Sequence, residues 1–324
     1  MPDQPSDTPP DVITSIDVPW PFGRSQGKVR ESFSLPRGRR LLVATDRLSA
    51  FDVVLAAIPH KGQVLNELSA FWFEATRALF PNHLLEVPDP NVSLVWECRP
   101  LPVEVIVRGY ITGVTRTSLW TLYASGERLV YGYRLPEGLR KNDRLPEPLI
   151  TPTTKAGPGQ HDERLTPAEV VERGLVDAPT WEAVCAAALA LFREGQRRAA
   201  EAGYILVDTK YEFGRAPDGT VLLIDELHTP DSSRFWRAED WEEAQRQGRE
   251  PEPYDKEFVR LWYVRQGYAG DGPPPLLPDS IVREMAKRYI ALYEGLTGRP
   301  FHPAPAPAQA RIARILERFL DEHR

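Results

Sequence analysis

Only two cysteines occur in the 324 residues, Cys98 and Cys185, and nothing around them has metal-ligand spacing. That excludes a disulfide scaffold and gives no sign of a zinc site, so both read as buried thiols. No apolar run approaches the length of a membrane span. The opening residues, MPDQPSDTPPD, are acidic and proline-rich and lack a basic-then-apolar leader pattern. A cytoplasmic protein without membrane contact is expected. A surplus of positive charge is missing too. The formal net charge is -6, which speaks against a nucleic-acid partner. Tandem repeats and low-complexity runs are absent. Lysine is scarce: of 40 basic residues only seven are Lys (28, 61, 141, 155, 210, 256 and 287). A lysine kept against that bias hints at a place where an ammonium, not a guanidinium, is needed.

What is present is ordinary for a soluble globular chain, with 42% hydrophobic and 27% charged residues. The length suits about two domains with a large core. Residues 1–15 read as a disordered tail from their Pro and Asp content.

The stretch YILVDTKYEFGRAPDGTVLLIDELHTPDSSRFW, Tyr204 to Trp236, organises the rest. Two apolar arms flank Ala216-Pro217-Asp218-Gly219, a turn sequence, and predict a β-hairpin. Side chains alternate along a strand, so Asp208, Lys210 and Glu212 share one face. A four-residue loop sets Lys210 opposite Asp225. A three-residue loop with a Gly bulge would exchange Asp225 for Glu226, since one residue of slip reverses the face. The first register is preferred because it gathers the charges. Three carboxylates around one lysine fit either exposed ion pairs on an edge hairpin or a metal-nucleotide site.

Upstream, Phe22 to Phe33 reads as a strand, a turn at Gly27-Lys28 and a second strand. The turn lacks P-loop spacing but can cover phosphates. Arg40 to Thr45 is a buried strand that runs into Asp46-Arg47-Leu48-Ser49, where Asp46 or Ser49 is either functional or an N-cap. Val64 to Leu79 is helical. Leu101 to Tyr110 is a nearly apolar strand with Glu104 and Arg108 on one face. Its backbone edge is either plain core or an adenine contact. Ile111 to Trp120 is rich in hydroxyls and suits a phosphate near Arg108. Thr166-Pro167-Ala168-Glu169 is a capping box, and a long helix runs from Trp181 to Ala202. Thr229 to Trp236 reads as a polar turn with Arg234 as an anion fork. Asp231 or Ser232 could instead simply cap the next helix.

Taken in order, GKVRESF, ATDRLSAFD, IPHKGQVLNELSAFWFE, PVEVIVRGYITG, TPTTKA, DTKYEFG, DELHTPDSSRFW and YDKEF resemble the SAICAR synthetase family of purine biosynthesis. The resemblance spans Gly27 to Phe258. It implies an α+β, ATP-grasp-like two-domain fold with ATP in the interdomain cleft: a sheet unit at 16–103 with a glycine-containing flap, a larger catalytic unit at 104–270, and closing helices at 271–324 packed on that second unit. It also implies an ATP-dependent ligase joining carboxyaminoimidazole ribotide to L-aspartate through an acyl phosphate. ATP and Mg²⁺ are the implied cofactors, and the protein would be a monomer or homodimer. By this resemblance Glu212 and Asp225 hold Mg²⁺. Lys28, Arg30 and Lys210 meet the nucleotide, and backbone at Glu104, Val105 and Ile106 meets adenine. Arg108, Ser118 and Arg234 take the ribotide phosphate. Asp46, Ser49, Lys61, Asp208, Asp231 and Ser232 line the substrate region, with Lys210, Asp208 and Asp46 as the catalytic set. One departure is the longer Val114–Thr117 segment before Ser118, as in plant-like members, which leaves Thr115 or Thr117 as alternatives to Ser118. Two rivals remain: a ligase or kinase of another small acid, and an inactive binding paralogue.

Overall fold

The computed structural model describes residues 11–115, 118–155 and 162–323. Its strands and helices are mixed along the chain. The first part runs β1 (Arg24–Gln26), β2 (Arg30–Leu35), β3 (Arg39–Ala44), β4 (Arg47–Ala50), β5 (Val53–Ala57) and α1 (Lys61–Ala75). It continues with β6 (Leu84–Asp89), β7 (Val92–Trp96), β8 (Arg99–Pro100), β9 (Val103–Tyr110) and α2 (Leu119–Ala124). Next come β10 (Leu129–Val130), β11 (Tyr133–Arg134), β12 (Arg144–Ile150), β13 (Thr153–Thr154), α3 (Pro167–Glu172) and α4 (Ala178–Glu201). The last part is β14 (Tyr204–Arg215), β15 (Val221–Ile224), β16 (Ser233–Arg237), α5 (Ala238–Gln247), α6 (Glu257–Arg265), α7 (Asp279–Thr297) and α8 (Ala308–Asp321).

Two sheets frame the molecule. The first is antiparallel, in the order β1-β2-β3-β7-β6. In β2 the alternation is strict, with Glu31, Phe33 and Leu35 buried and Arg30, Ser32 and Ser34 turned outward. Glu31 is tolerated inside because Arg24 at 2.9 Å and Arg47 at 3.5 Å neutralise it. The second sheet is built on β14, which is paired along both edges. β9 and then β8 lie on one side, and β16 and then β15 on the other. Helix α4 covers this sheet with Trp181, Val184, Ala188, Leu191 and Phe192. It starts where Asp177 accepts the Thr180 N–H at 3.0 Å, and Gly203 stops it at a φ of 76°. The capping box at Thr166 forms as its sequence implies.

Four expectations change. Ile13 and Ile16 are buried in the first sheet's core, so the tail does not extend to residue 15. Helix α8 does not pack on the second unit. Its Ile312, Leu316 and Phe319 join Phe33, Leu41 and Val43 under the first sheet. Thr229 to Trp236 is not all turn, because Ser233–Arg237 adds a strand to β14. The hairpin takes the register that was set aside. Ala216 N–H bonds to the Thr220 carbonyl, Gly219 has a φ of 88°, and Glu212 faces Ile224. Pro217-Asp218-Gly219 is therefore a three-residue loop, for which a glycine in the left-handed region is the usual solution.

Two buried histidines tie stability to pH. Burial drives His83 and His228 down to about 3, with Arg30 and Arg40 adding to the effect at His83. The unfolded chain would titrate each near pH 6.5. A depressed folded value means stability that is present above pH 6.5 and lost as pH falls toward 3, about 2 kcal/mol per histidine by pH 5. Asp255 works in the opposite sense, because burial, then Glu257, raise it to about 7. The clean observable is a difference. Between pH 7 and 5, urea unfolding of His83→Gln should lose about 2 kcal/mol less than wild type. Equal losses would contradict a neutral buried imidazole.

Candidate active site

β14 places Asp208, Lys210 and Glu212 on the face turned toward the first sheet, and its neighbours complete a charged surface. Asp208 lies opposite Arg108 on β9 and opposite Arg234 on β16. The result is a row across three strands, with the Asp208 carboxylate 3.1 Å from Arg108 and 3.4 Å from Arg234. Two residues on, Lys210 Nζ donates to Glu104 at 2.9 Å and to Glu212 at 2.7 Å. Glu212 also pairs with Lys155. Burial alone would lower the Lys210 pKa, but Glu212, Glu104 and Asp225 outweigh it and hold the ammonium above its usual value. Lys210 is thus a fixed positive charge and not a proton acceptor.

Across the cleft, the flap between β1 and β2 carries Lys28 and Arg30. Lys28 pairs with Asp52. The Arg30 fork reaches both Asp225 and Glu226, the latter at 2.9 Å. Consecutive strand residues would point apart. Here the β15 ladder ends at Ile224, and Asp225 has a φ of 69°, so both carboxylates meet one guanidinium. Gathering of Asp225 with Lys210 therefore comes from a left-handed residue after the strand and not from the four-residue loop. Burial works to raise Asp225, but the Arg30, Lys210 and Lys155 charges outweigh it and leave the carboxyl below its ordinary value, while burial dominates at Glu226 and raises it.

These groups line three adjoining chambers. The central one, about 590 Å³, is bounded by Lys28, Arg30, Ser49, Glu104, Lys210 and Asp231, among others. A second, about 180 Å³, shares Lys210, Asp231, Ser232, Lys256 and Arg260 with it and extends to Asp208 and Arg234. A third, about 230 Å³, shares Arg30 and Asp225 and has a more apolar lining that includes Leu42, Val95, Cys98 and Ile224. A small pocket of about 70 Å³ touches Arg234 from the side of Thr112, Gly113 and Val114. Gly113 is required there: an added Cβ would lie 2.4 Å from Ser118 Cβ, and the backbone φ is 106°.

Several residues sit differently from their sequence expectation. Asp46 is buried and outside the cleft lining. Its two oxygens accept the N–H groups of Ile13 and Gly62, each at 2.8 Å, so it ties the N-terminal segment to the start of α1. In this position it serves as a strut. Lys61 is fully buried and cannot touch a ligand. It donates to Asp231 at 2.8 Å. Val105 and Ile106 pair with β14 on one side, and on the other the Ile106 carbonyl already accepts the Thr151 N–H at 2.8 Å. The Glu104 side chain faces the central chamber. Ser118 is buried beside Gly113, with its hydroxyl accepting the Thr121 N–H as the N-cap of α2. Of its alternatives, Thr115 is exposed and Thr117 lies outside the described residues.

The sequence reading gave no site role to Lys155, Lys256 and Arg260, and it raised Glu226 only as the alternative to Asp225 in the other register. Lys256 and Arg260 stand at the YDKEF motif, and the scarcity of lysine was a usable signal for Lys155 and Lys256. Among the described residues no three potential ligands cluster as a protein-only metal cage.

Residues 24–275 match the family model described as SAICAR synthetase. The chain belongs to the SAICAR synthetase family. Within it, a putative phosphoribosylaminoimidazole-succinocarboxamide synthase 2 of Agrobacterium fabrum is 49% identical over 296 residues, covering 91% of this chain and 94% of its own. The phosphoribosylaminoimidazole-succinocarboxamide synthase of Legionella pneumophila (strain Paris) is 47% identical over 304 residues, with 93% and 96% covered. A chloroplastic SAICAR synthetase relative from Arabidopsis thaliana is 47% identical over 95% of this chain and 75% of its own. Among solved structures, a SAICAR synthase from Saccharomyces cerevisiae complexed with SAICAR has a TM-score of 0.77 at 33% identity, covering 90% of this chain and all of that one. A SAICAR synthetase solved in complex with ADP, 22% identical, shares the fold with a TM-score of 0.66 over 87% of this chain and all of that one. No helix among the described residues is long and apolar enough to cross a membrane.

Proposed function

We propose that this chain uses ATP to join the carboxylate of carboxyaminoimidazole ribotide to the amine of L-aspartate, giving SAICAR, ADP and phosphate. The observation that carries the reading is the meeting of three chambers on one charged sheet face, at Lys210 and the Arg30 fork. In this reading the two sheets are the lobes of an ATP-grasp-like architecture with ATP between them. The nucleoside takes the chamber lined by Leu42, Val95, Cys98 and Ile224. Its phosphates reach Lys28, Arg30 and Lys210. The ribotide phosphate takes Arg234 and the Gly113 loop, with Arg108 held in place through Asp208. Asp231, with unused lone pairs on both oxygens, accepts from the L-aspartate ammonium. Lys256 and Arg260 face that substrate's carboxylates, and Ser49 and Ser232 offer hydroxyls.

Glu212 and Asp225 fit Mg²⁺ as the two protein carboxylates of a site completed by phosphate oxygens, the usual arrangement for this ion. Both are ion-paired with cations suited to phosphate, Lys155, Lys210 and Arg30. Bound there, the ion would neutralise charge on the transferring phosphoryl group. The chemistry balances without a protein nucleophile. A ribotide carboxylate oxygen attacks the γ-phosphorus and ADP leaves. The L-aspartate ammonium gives up one proton to solvent; its freed nitrogen attacks the acyl carbon and loses a second proton, and phosphate departs with that oxygen and takes up that second proton. Burial pushes Cys98 and Cys185 up to about 11 and 12, so neither offers a thiolate.

Ribotide labelled with ¹⁸O in its carboxylate tests this path: the label should appear in the released phosphate. Label retained only in organic product would contradict the acyl phosphate. Arg234→Ala is expected to raise the KM for ribotide about ten- to a hundred-fold, the cost of losing charged hydrogen bonds. A change confined to the KM for ATP would contradict its assignment.

A further inference from the structure

The central chamber and the Asp208–Arg234 chamber meet at Asp231. Each of its oxygens is held by a different element. Oδ2 accepts from Lys61 Nζ of α1 at 2.8 Å, and Oδ1 accepts from the Tyr289 hydroxyl of α7 at 2.8 Å. Lys61 has no exposure and Tyr289 only 1%, so neither donor can turn to a ligand or to water. Asp231 itself stays at the chamber walls. A carboxylate bonded through one oxygen can still swing about that bond. A second buried donor on the other oxygen removes the freedom and fixes where the remaining lone pairs point.

Tyr289 lies beyond residues 24–275, the stretch the family model covers, in a helix to which the sequence assigned only packing. We propose that Tyr289 is a positioning residue for the ligation: its hydroxyl orients Asp231 so that the carboxylate presents its free lone pairs to the ammonium of L-aspartate. The proposal rests on the reading above, in which Asp231 meets that ammonium. Lys256, Glu226 and Arg30 also act on Asp231 electrostatically, but none of them is hydrogen-bonded to it as Lys61 and Tyr289 are. Helix α7 thereby does more than cover α1, since it closes the hydrogen-bond set of a cleft residue.

Tyr289→Phe keeps the buried ring and removes only the donor, so packing is preserved. Steady-state kinetics of the full chain, varying each substrate in turn, should show kcat/KM for L-aspartate reduced about ten-fold, as expected for one hydrogen bond to a charged group. The KM for ATP should stay within about two-fold. A purely structural role would lower the unfolding midpoint and leave both parameters of the folded enzyme alone. Asp231→Asn should reduce kcat/KM for L-aspartate further. Adding Tyr289→Phe to it should cost nothing more, because the hydroxyl acts only through the carboxylate. Wild-type L-aspartate kinetics in Tyr289→Phe, with Asp231→Asn impaired, would overturn the proposal alone. So would a full additive loss in the double variant. Wild-type L-aspartate kinetics in Asp231→Asn would instead overturn the underlying reading of the site.

Discussion

Lys210→Ala is expected to lower turnover by about a thousand-fold, at the upper end for removing one electrostatic contact to a reacting centre. The lysine is paired with Glu104 and Glu212, and Asp225 is among the charges acting on it. In the resting cleft those carboxylates hold it charged. With nucleotide bound, the same ammonium is a point charge at the phosphates, as compact lysines are elsewhere. Fold should survive, because the Lys210 side chain is about a third exposed and the carboxylates it leaves behind border an open chamber. Asp225→Asn should fall as far, since it removes one of two proposed magnesium ligands and half of the pair held by Arg30. Circular dichroism and urea unfolding would check the fold, and ADP release the turnover. Wild-type activity in either variant would mean that the charged face is not where the chemistry occurs.

Lys61→Met should cost about 3–5 kcal/mol in urea unfolding, the usual cost of leaving a buried charge without its partner. Lys61 is wholly enclosed at the start of α1, and its partner Asp231 is almost so. Burial works to raise the Asp231 carboxyl, but Lys61 and Lys256, with the Lys61 and Tyr289 hydrogen bonds, bring it below its ordinary value. Removing the ammonium exposes the desolvation cost that it had offset. Combining Lys61→Met with Asp231→Asn should recover most of the loss, because an amide is far cheaper to bury than an anion. A loss below about 1 kcal/mol for Lys61→Met would contradict an interior ion pair.

Much of the site was legible because strand periodicity is local. Asp208, Lys210 and Glu212 stand two apart, so their shared face follows from the pleat alone. The family likeness of the ordered motifs was legible for the same reason. Register was not. Both loop lengths suit Ala216-Pro217-Asp218-Gly219, and the outcome depended on how β14 pairs on both edges. The functional preference for gathered charges picked the wrong ladder, yet Asp225 reached the cleft through its left-handed backbone. The structural ties of Asp46 and Lys61 were hidden for a common reason. A polar residue beside a strand end resembles a site residue until the distant partner is known, here Gly62 and Ile13 for one and Asp231 for the other. Tyr289 could not be found at all, since a tyrosine on an amphipathic helix carries no mark of its one hydroxyl bond.

The most direct test is ADP release by the purified full chain supplied with ATP, magnesium, ribotide and L-aspartate, with ribotide and L-aspartate omitted in turn. One ADP should form for each SAICAR, and sustained release should collapse when either acceptor is left out. Rapid ADP release that ignores L-aspartate would contradict the account and favour a kinase-like activity on another acid.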